Sequence, residues 1–141
     1  MLRIATSDDL ELVVEMGLKF IETSPYKDIY SPDKLKDLVA DYIAAKGENK
    51  IVLVYEDKGM ILGMIYPFAF GDVLQCMEVG WWVEPDYRKE GIGDKLLEAL
   101  EYWANKLGCS IMTMVSLDDK LDKFYTKKGY RLSERLYMKD I

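Results

Sequence analysis

The chain has 141 residues, of which 50% are hydrophobic and 31% charged, and this is the composition of an ordinary globular protein. It excludes a disordered tail and a disulfide-rich miniprotein. Nineteen Lys and Arg residues stand against 25 Asp and Glu residues, and the net charge of -6 argues against a nucleic acid partner. We therefore expect one domain over residues 1–141 with its own core.

The N-terminal part of the chain predicts one strand and two helices. Leu2–Thr6 alternates apolar and polar residues as a short strand does, and Ser7–Asp9 supplies an N-cap and two acids for the helix that follows. A loop is predicted over Ser24–Pro32 because the segment carries two prolines and two tyrosines. Ser31 is the predicted cap of a second helix, which Gly47 ends.

The rest of the chain alternates strands with helices. Lys50–Tyr55 and Met60–Phe70 are apolar runs joined by a short turn, which is typical of a β-hairpin. The further predicted elements are a strand at Gln75–Glu84, a helix with its apolar face from Leu96 to Leu107, a strand at Ile111–Val115, a helix at Asp118–Lys128 and an extended strand at Tyr130–Ile141. The order βααβββαβαβ predicts an α/β fold with a mixed, twisted central sheet flanked by helices.

The sequence contains no histidine, which removes Ser/His and Cys/His nucleophile pairs, HExxH zinc sites and imidazole bases. Proton transfer therefore has to use a carboxylate, a Tyr, Lys or Cys side chain, the backbone or water. Cys76 and Cys109 match no metal-ligand spacing, so no metal is expected. Nothing at the N-terminus is typical of a signal peptide, and the apolar runs are well short of the ~20 residues that span a bilayer. We expect a cytoplasmic protein with free thiols and no membrane contact.

The most informative stretch is the strand, glycine loop and helix start at residues 83–94. Backbone N–H groups at a helix start have no partner within the helix, and that end of the helix is partly positive. Gly91 and Gly93 remove side chains that would hold a pyrophosphate away from those amides, and Arg88 and Lys89 add positive charge. The alternative is an ordinary turn whose glycines serve only tight packing, since short glycine motifs are common.

The context of these glycines resembles a known family. The motif R-x-x-G-x-G at residues 88–93, preceded by Val83 and Pro85, resembles the acyl-CoA motif of the GNAT N-acetyltransferases. The motif Y-x-x-x-G-aromatic at residues 125–130 resembles the signature of that family's last helix, and the predicted element order fits the GNAT fold. The resemblance implies acetyl-CoA as co-substrate and transfer of its acetyl group to a primary amine by direct attack in a ternary complex.

The resemblance also implies which residues hold the co-substrate. In GNAT proteins the strand before the glycine loop splays from its neighbour and its backbone pairs with the pantetheine arm; this stretch corresponds to Trp81, Trp82 and Val83. The pyrophosphate lies on loop amides after Arg88, which here are those of Lys89, Glu90, Gly91, Ile92, Gly93 and Asp94. The family often has Asn seven residues before the tyrosine, where this sequence has Asp118. An ionised acid can only accept a hydrogen bond, and a helix cap is the other interpretation of Asp118.

Two residues carry the implied chemistry. Tyr125 resembles the tyrosine beside the thioester sulfur, as a general acid or a stabiliser of the thiolate, with a core tyrosine as the alternative. Glu78 lies in a run, E-x-G-aromatic-aromatic, that resembles GNAT relatives acting on ribosomal protein N-termini or small amines. A carboxylate beside an apolar cleft has a raised pKa, which suits a general base. Alternatively, Glu78 binds a cationic substrate or forms an ion pair with a neighbouring Lys or Arg. In either case water would serve as the base.

The acceptor is the least determined part of the prediction. Tyr26 and Tyr30 fall where GNAT proteins build one wall of the acceptor pocket, and an aromatic wall can hold an ammonium group by cation–π contact worth roughly 0.5–2 kcal/mol. Their alternative is packing of loop aromatics on the domain. The amine is a small molecule or a protein group, and the rival function is a non-catalytic acyl-CoA sensor or interaction module. The final strand can pair with another subunit, so a homodimer is also expected.

Overall fold

The computed structural model describes residues 1–141 as a five-stranded sheet with helices on both faces. The strands are β1 (Leu2–Ile4), β2 (Lys50–Tyr55), β3 (Gly59–Pro67), β4 (Leu74–Val83) and β5 (Cys109–Thr113). The helices are α1 (Leu10–Glu22), α2 (Pro32–Ala44), α3 (Ile92–Lys106) and α4 (Asp119–Lys127). The strands lie in sequence order; β1 to β4 are antiparallel and β4 and β5 are parallel. This mixed sheet confirms the predicted fold class.

The first two helices begin where polar side chains satisfy free backbone groups. The Ser31 side chain accepts a hydrogen bond from the third residue of α2, as predicted. A short 3-10 turn at Ser7–Asp9 precedes α1, and there the Asp9 carboxylate accepts from the Thr6 backbone N–H at 2.8 Å. The Arg3 guanidinium also donates to both Asp9 oxygens, at 2.7 and 2.8 Å. These bonds compensate the burial of the Asp9 carboxylate.

The sheet separates two hydrophobic cores. Helices α1 and α2 cover one face through side chains such as Val13 and Val39, and α3 covers the other through Leu96 and Leu100. Each fully buried side chain of this kind contributes roughly 1.5–3 kcal/mol. Helix α3 lies so close to the sheet that a Cβ at Gly63 would be 2.5 Å from a Leu100 methyl carbon. None of the helices is long and apolar enough to cross a membrane.

Strand β4 diverges from β5 halfway along its length. The two strands pair only from Leu74 to Met77, so the stretch from Glu78 to Val83 has β3 on one side and no strand on the other. A bulge lies at the point of divergence, because Leu62 pairs with Gly80 and its neighbour pairs with Glu78, which leaves one extra residue on β4. The divergence opens a wedge in the sheet beside the start of α3.

The predicted final strand at Tyr130–Ile141 is wrong. Tyr130 is anchored, because its hydroxyl donates to Glu101 at 2.7 Å and its backbone N–H donates to the Tyr125 carbonyl at 2.9 Å. Beyond it, residues 131–141 are exposed, contain neither turn nor bend, and make no backbone hydrogen bond. A strand needs backbone hydrogen bonds to a partner strand, and residues 131–141 pair with none of the five strands.

Candidate active site

The glycine loop presents a row of unpaired amides. Gly91 has φ +79, a left-handed conformation that glycine adopts without steric cost, and α3 begins directly after it. The first helical hydrogen bond runs from the Lys95 N–H to the Gly91 carbonyl at 3.1 Å. Of the six amides implied to bind pyrophosphate, that of Glu90 donates to the Tyr87 carbonyl at 3.2 Å. No backbone partner is found for the other five, those of Lys89, Gly91, Ile92, Gly93 and Asp94.

The two glycines of the loop serve different purposes. A Cβ built at Gly91 would meet no atom within 4 Å, so open space faces the loop at this position. A Cβ at Gly93 would lie 3.3 Å from the Trp81 ring. Gly93 is therefore needed for close packing of α3 on β4, whereas Gly91 gives the loop its conformation and leaves room for a ligand.

The Arg88 side chain is engaged with β4. Its Nε donates to the Val83 carbonyl at 2.9 Å, and its guanidinium carbon lies 4.6 Å from the centre of the Trp82 ring. Trp82 and Trp81 are successive residues of β4 and point to opposite faces of the sheet: Trp82 joins the core under α1 and α2, and Trp81 packs on the α3 side. Arg88 thus braces the turn from β4 to the glycine loop.

Lys128, the residue directly after α4, lies beside the start of α3. Asp94 is in the first turn of α3, and Lys128 Nζ is 2.6 Å from its carboxylate and 3.0 Å from that of Glu98. The bond to Asp94, with a second from Glu98, raises the pKa of Lys128 to about 12. Lys128 neutralises an acid beside the free amides and ties the end of α4 to α3.

Glu78 is a buried acid at the start of the diverging half of β4. Its residue is 4% exposed, and burial raises the pKa of its carboxyl group to about 7. A hydrogen-bond contribution from the backbone of Val115, in the loop after β5, acts in the opposite direction and lowers the pKa. Glu78 can therefore exchange a proton near neutral pH.

Tyr125 lies on α4 and faces the same loop. Its hydroxyl donates to the Val115 carbonyl at 2.8 Å, and burial followed by the charge of Glu78 raises its pKa well above the usual value. The Tyr125 ring is 6.3 Å from that of Trp81 and 5.6 Å from that of Tyr130. The backbone of Val115 thus accepts a hydrogen bond from Tyr125 and also lowers the pKa of Glu78, which no side-chain pattern in the sequence could have indicated.

The remaining predicted residues lie at the edges of this site or outside it. Asp118 is the N-cap of α4, where its carboxylate accepts from the Leu121 N–H at 2.9 Å, so the capping interpretation holds. Tyr26 and Tyr30 lie in the loop between α1 and α2, and no hydrogen bond or ring contact joins them to Glu78 or Tyr125. No cluster of three or more acidic or thiol side chains is arranged to hold a metal ion.

Comparison with known proteins gives a family match over this region. A family model described as an acetyltransferase (GNAT) domain matches residues 48–132, a stretch that includes the glycine loop, Glu78 and Tyr125. No curated protein matches the chain significantly in sequence.

Solved structures resemble the whole chain. An acetyltransferase from Trypanosoma brucei is 26% identical, with a TM-score of 0.75, and the match covers 100% of this chain and 99% of that one. The aminoglycoside enzyme AAC(6')-Iy, solved with the bisubstrate analogue CoA-S-monomethyl-acetylneamine, is 16% identical with a TM-score of 0.76 and coverage of 100% and 97%. A transcriptional regulator from Bacillus halodurans is 19% identical with a TM-score of 0.75 and coverage of 100% and 99%. The similarity to the last two structures, at 16% and 19% identity, shows that this chain shares their fold.

Proposed function

This chain belongs to the GNAT acetyltransferase family, and on that premise we propose that it transfers the acetyl group of acetyl-CoA to a primary amine by direct attack in a ternary complex. The family and its neighbours support acetyl transfer from acetyl-CoA in general. The observation that carries the finer proposal is a buried acid, Glu78, on the diverging half of β4 and a buried phenol, Tyr125, whose hydroxyl donates to the Val115 carbonyl at 2.8 Å beside the wedge between β4 and β5.

The loop and the wedge fit the two ends of the co-substrate. The five unpaired amides from Lys89 to Asp94 and the open space at Gly91 suit a pyrophosphate, with Lys128 offsetting the negative charge of Asp94. The backbone of β4 from Trp81 to Val83, with no strand on its outer side, offers amide partners to a pantetheine arm. We therefore propose that the thioester lies in the wedge beside Tyr125.

Glu78 is the proposed general base, acting directly or through a water molecule. An ordinary carboxyl has a pKa of ~4.3 and an ammonium a pKa of ~10.4. Transfer of a proton from the ammonium to such a carboxylate is therefore unfavourable by about 6 pKa units, or roughly 8 kcal/mol. The Glu78 pKa of about 7 narrows that gap. The remaining gap between the two pKa values is about 3.4 units, or roughly 5 kcal/mol, which is compatible with turnover on ordinary enzymatic timescales.

Tyr125 is the proposed stabiliser of the departing thiolate. Its raised pKa makes full proton transfer to a thiolate with a pKa of ~8.5 more unfavourable than for an ordinary phenol. A hydrogen bond to the developing charge has no such cost. The hydroxyl proton points at the Val115 carbonyl, so rotation about the phenol C–O bond has to redirect it to the sulfur. We therefore assign Tyr125 as a hydrogen-bond donor more than as an acid.

We propose a cationic amine as the acceptor. Support comes from the net charge of -6 and from the Tyr30 hydroxyl lying 3.5 Å from the Glu22 carboxylate, so that an aromatic ring of the α1–α2 loop lies beside an acid at the end of α1. Tyr26 lies in the same loop, and its backbone N–H donates a hydrogen bond to the Ser24 hydroxyl oxygen. A small polyamine or aminoglycoside is favoured over a protein amine, and the aminoglycoside enzyme among the structural neighbours is consistent with this class.

We place this activity in the cytoplasm and in one domain spanning residues 1–141. Cys76 and Cys109 are both free thiols on adjacent strands, which suits a reducing compartment. The two hydrophobic cores share one sheet, which suits a single folding unit.

The test is release of thiol from acetyl-CoA by the full chain, with polyamines, aminoglycosides, amino acids and N-terminal peptides added in turn. Calorimetry with acetyl-CoA measures binding separately. Binding in the micromolar range together with amine-dependent release and an acetylated product supports the proposal. Binding without release for any amine class overturns it in favour of an acyl-CoA sensor.

A further inference from the structure

Helix α4 carries Tyr125 but has little apolar surface to hold it in place. It has nine residues, and Tyr125 is the only one that is buried. A helix of this length is not stable on its own, so its position depends on contacts with the rest of the fold. With so small a buried face, a few specific contacts decide where the phenol lies.

The middle of α4 is held against β4 and the loop after β5. The rings of Phe124 and Tyr125 lie 5.9 and 6.3 Å from that of Trp81. Apolar contacts of this kind are non-directional, so they do not fix the helix along its axis. The Tyr125 hydroxyl bond to Val115 is directional, but it anchors α4 to the loop after β5 and not to α3.

A row of acids on α3 holds the end of α4. Asp94, Glu98 and Glu101 are four and three residues apart and therefore lie on one face of the helix. Lys128 Nζ is 2.6 Å from the Asp94 carboxylate and 3.0 Å from that of Glu98, and the Tyr130 hydroxyl donates to Glu101 at 2.7 Å. Such charge-assisted bonds are directional. The bond from Lys128 is the one that reaches the first turn of α3, directly after the glycine loop.

The co-substrate has to fit two places at once. In the proposed complex its pyrophosphate lies on the glycine loop at the start of α3, and its thioester lies beside Tyr125 on α4. The spacing between these two elements therefore has to match the length of one molecule. A displacement of a reacting group by about 1 Å can lower a rate about 100-fold. A bond that fixes α4 against the start of α3 thus affects the rate directly.

We propose that Lys128 is a positioning residue: by bonding to Asp94 and Glu98 it fixes Tyr125 relative to the glycine loop and so sets the rate of acetyl transfer. The inference rests on the proposed function. Lys128 also offsets the charge of Asp94 beside the free amides, which favours binding of an anion there. Positioning acts on kcat and the charge effect acts on affinity, so the two can be separated.

Three variants separate positioning from charge. Lys128→Met should lower kcat at least about tenfold through misplacement, and weaken acetyl-CoA binding about three- to tenfold because Asp94 is left unpaired beside the amides. Lys128→Met combined with Asp94→Asn removes the bond without leaving that acid. The Kd of this double variant should return to within about threefold of wild type, while kcat remains at least about tenfold lower. Lys128→Arg keeps the charge and the reach to both acids, so its kcat should stay within about threefold of wild type.

Lys127→Met is the matched control. Lys127 is an exposed lysine at the neighbouring position, and it takes no part in the ion pairs with α3. The substitution removes the same charge from the same end of α4 and should leave kcat and Kd unchanged.

Hydrogen exchange measures the position of α4 without turnover. In the free protein the amides of α4 should exchange at least about tenfold faster in Lys128→Met than in Lys127→Met, while those of α3 change little. Wild-type kcat in the double variant, unchanged exchange in α4, or a loss of kcat in Lys128→Arg as large as in Lys128→Met overturns the proposal. A wild-type chain that binds no acetyl-CoA or releases no thiol contradicts the proposed function instead, and the exchange rates still decide whether Lys128 holds α4.

Discussion

The Tyr125 hydroxyl donates a 2.8 Å hydrogen bond to the carbonyl oxygen of Val115, ten residues earlier in the chain. The backbone of the same residue also lowers the pKa of Glu78, against the larger effect of burial. The loop between β5 and α4 therefore holds the phenol in position and also contributes to the pKa of the carboxyl group. Movement of this loop would change both candidate catalytic groups at once.

The first prediction concerns the pH dependence of turnover. Glu78 must be ionised to accept a proton, and the pKa of its carboxyl is about 7. Turnover should therefore rise with pH through about 7 and fall about tenfold for each pH unit well below it. Initial rates of thiol release between pH 5.5 and 9 measure this limb. Glu78→Gln should lower the rate and abolish the limb, and a retained limb in that variant would assign the titration to another group.

The second prediction concerns stability and has an unusual sign. Glu78 ionises near 4.5 in the unfolded chain and near 7 in the folded one, so its contribution to stability is full below pH 4.5 and is lost as pH rises through 7. Glu78→Gln should therefore stabilise the fold at pH 8 by about 1–3 kcal/mol, and change it little at pH 4.5. Urea unfolding at both pH values measures the difference.

Glu84 provides the matched control for that substitution. Its carboxylate accepts from Lys19 Nζ at 2.8 Å, so it is an ordinary paired acid at the end of β4. Glu84→Gln should leave stability unchanged or reduce it by up to about 1 kcal/mol. A loss of stability in Glu78→Gln at pH 8 would mean that the ionised form of Glu78 is fully satisfied by its surroundings, and would count against its role as a base.

The third prediction separates loop conformation from ligand binding. Gly91→Ala and Gly108→Ala both place a Cβ at a left-handed residue, with φ +79 and +89, and in neither case is any atom within 4 Å of it. Each should cost about 1–2 kcal/mol of stability. Only Gly91→Ala should also weaken acetyl-CoA binding, by roughly tenfold or more, because its methyl group enters the space in which we propose that the pyrophosphate lies. Equal binding by both variants in calorimetry would remove the glycine loop from the binding site.

The fourth prediction concerns acid unfolding. The hydrogen bonds from Arg3 lower the pKa of Asp9 to about 2 from an ordinary value of 3.8. The stabilisation is present above pH 3.8 and is lost as pH falls from there towards 2. Because Arg3 is half exposed, we expect a contribution of only about 1 kcal/mol. Asp9→Asn should remove that part of the pH dependence of unfolding, and an unchanged acid limb would place the sensitive group elsewhere.

Local patterns in the sequence were enough to predict most of the fold. The bounds of β2 at Lys50–Tyr55 match the prediction, because an apolar run between turn residues determines a strand locally. The cap at Ser31 also follows from chemistry within a few residues. The strand predicted after Tyr130 is absent because a strand is defined by pairing with a distant part of the chain, which a local pattern cannot establish, and residues 131–141 make no such pairing.

Only the parts of the candidate site that depend on side-chain motifs could be predicted from the sequence. The R-x-x-G-x-G motif located the free amides, and the motifs around Glu78 and Tyr125 make these two residues the catalytic candidates. The contribution of Val115 is made by its backbone, which any residue would supply, so the sequence contains no signal for it. The ion pair of Lys128 with Asp94 joins two helices that lie far apart in the sequence, and only the packed structure reveals it.

The most direct test of the account compares wild type with Tyr125→Phe at saturating acetyl-CoA and a responsive amine. The substitution removes one hydroxyl and its bond to Val115, at a cost in stability of about 1 kcal/mol. We predict that thiol release falls about 100-fold or more, as when one donor to a developing charge is lost, while the calorimetric Kd for acetyl-CoA changes less than about threefold. Tyr102→Phe, on the exposed side of α3, should leave both quantities unchanged. Wild-type turnover in Tyr125→Phe would contradict the proposed mechanism.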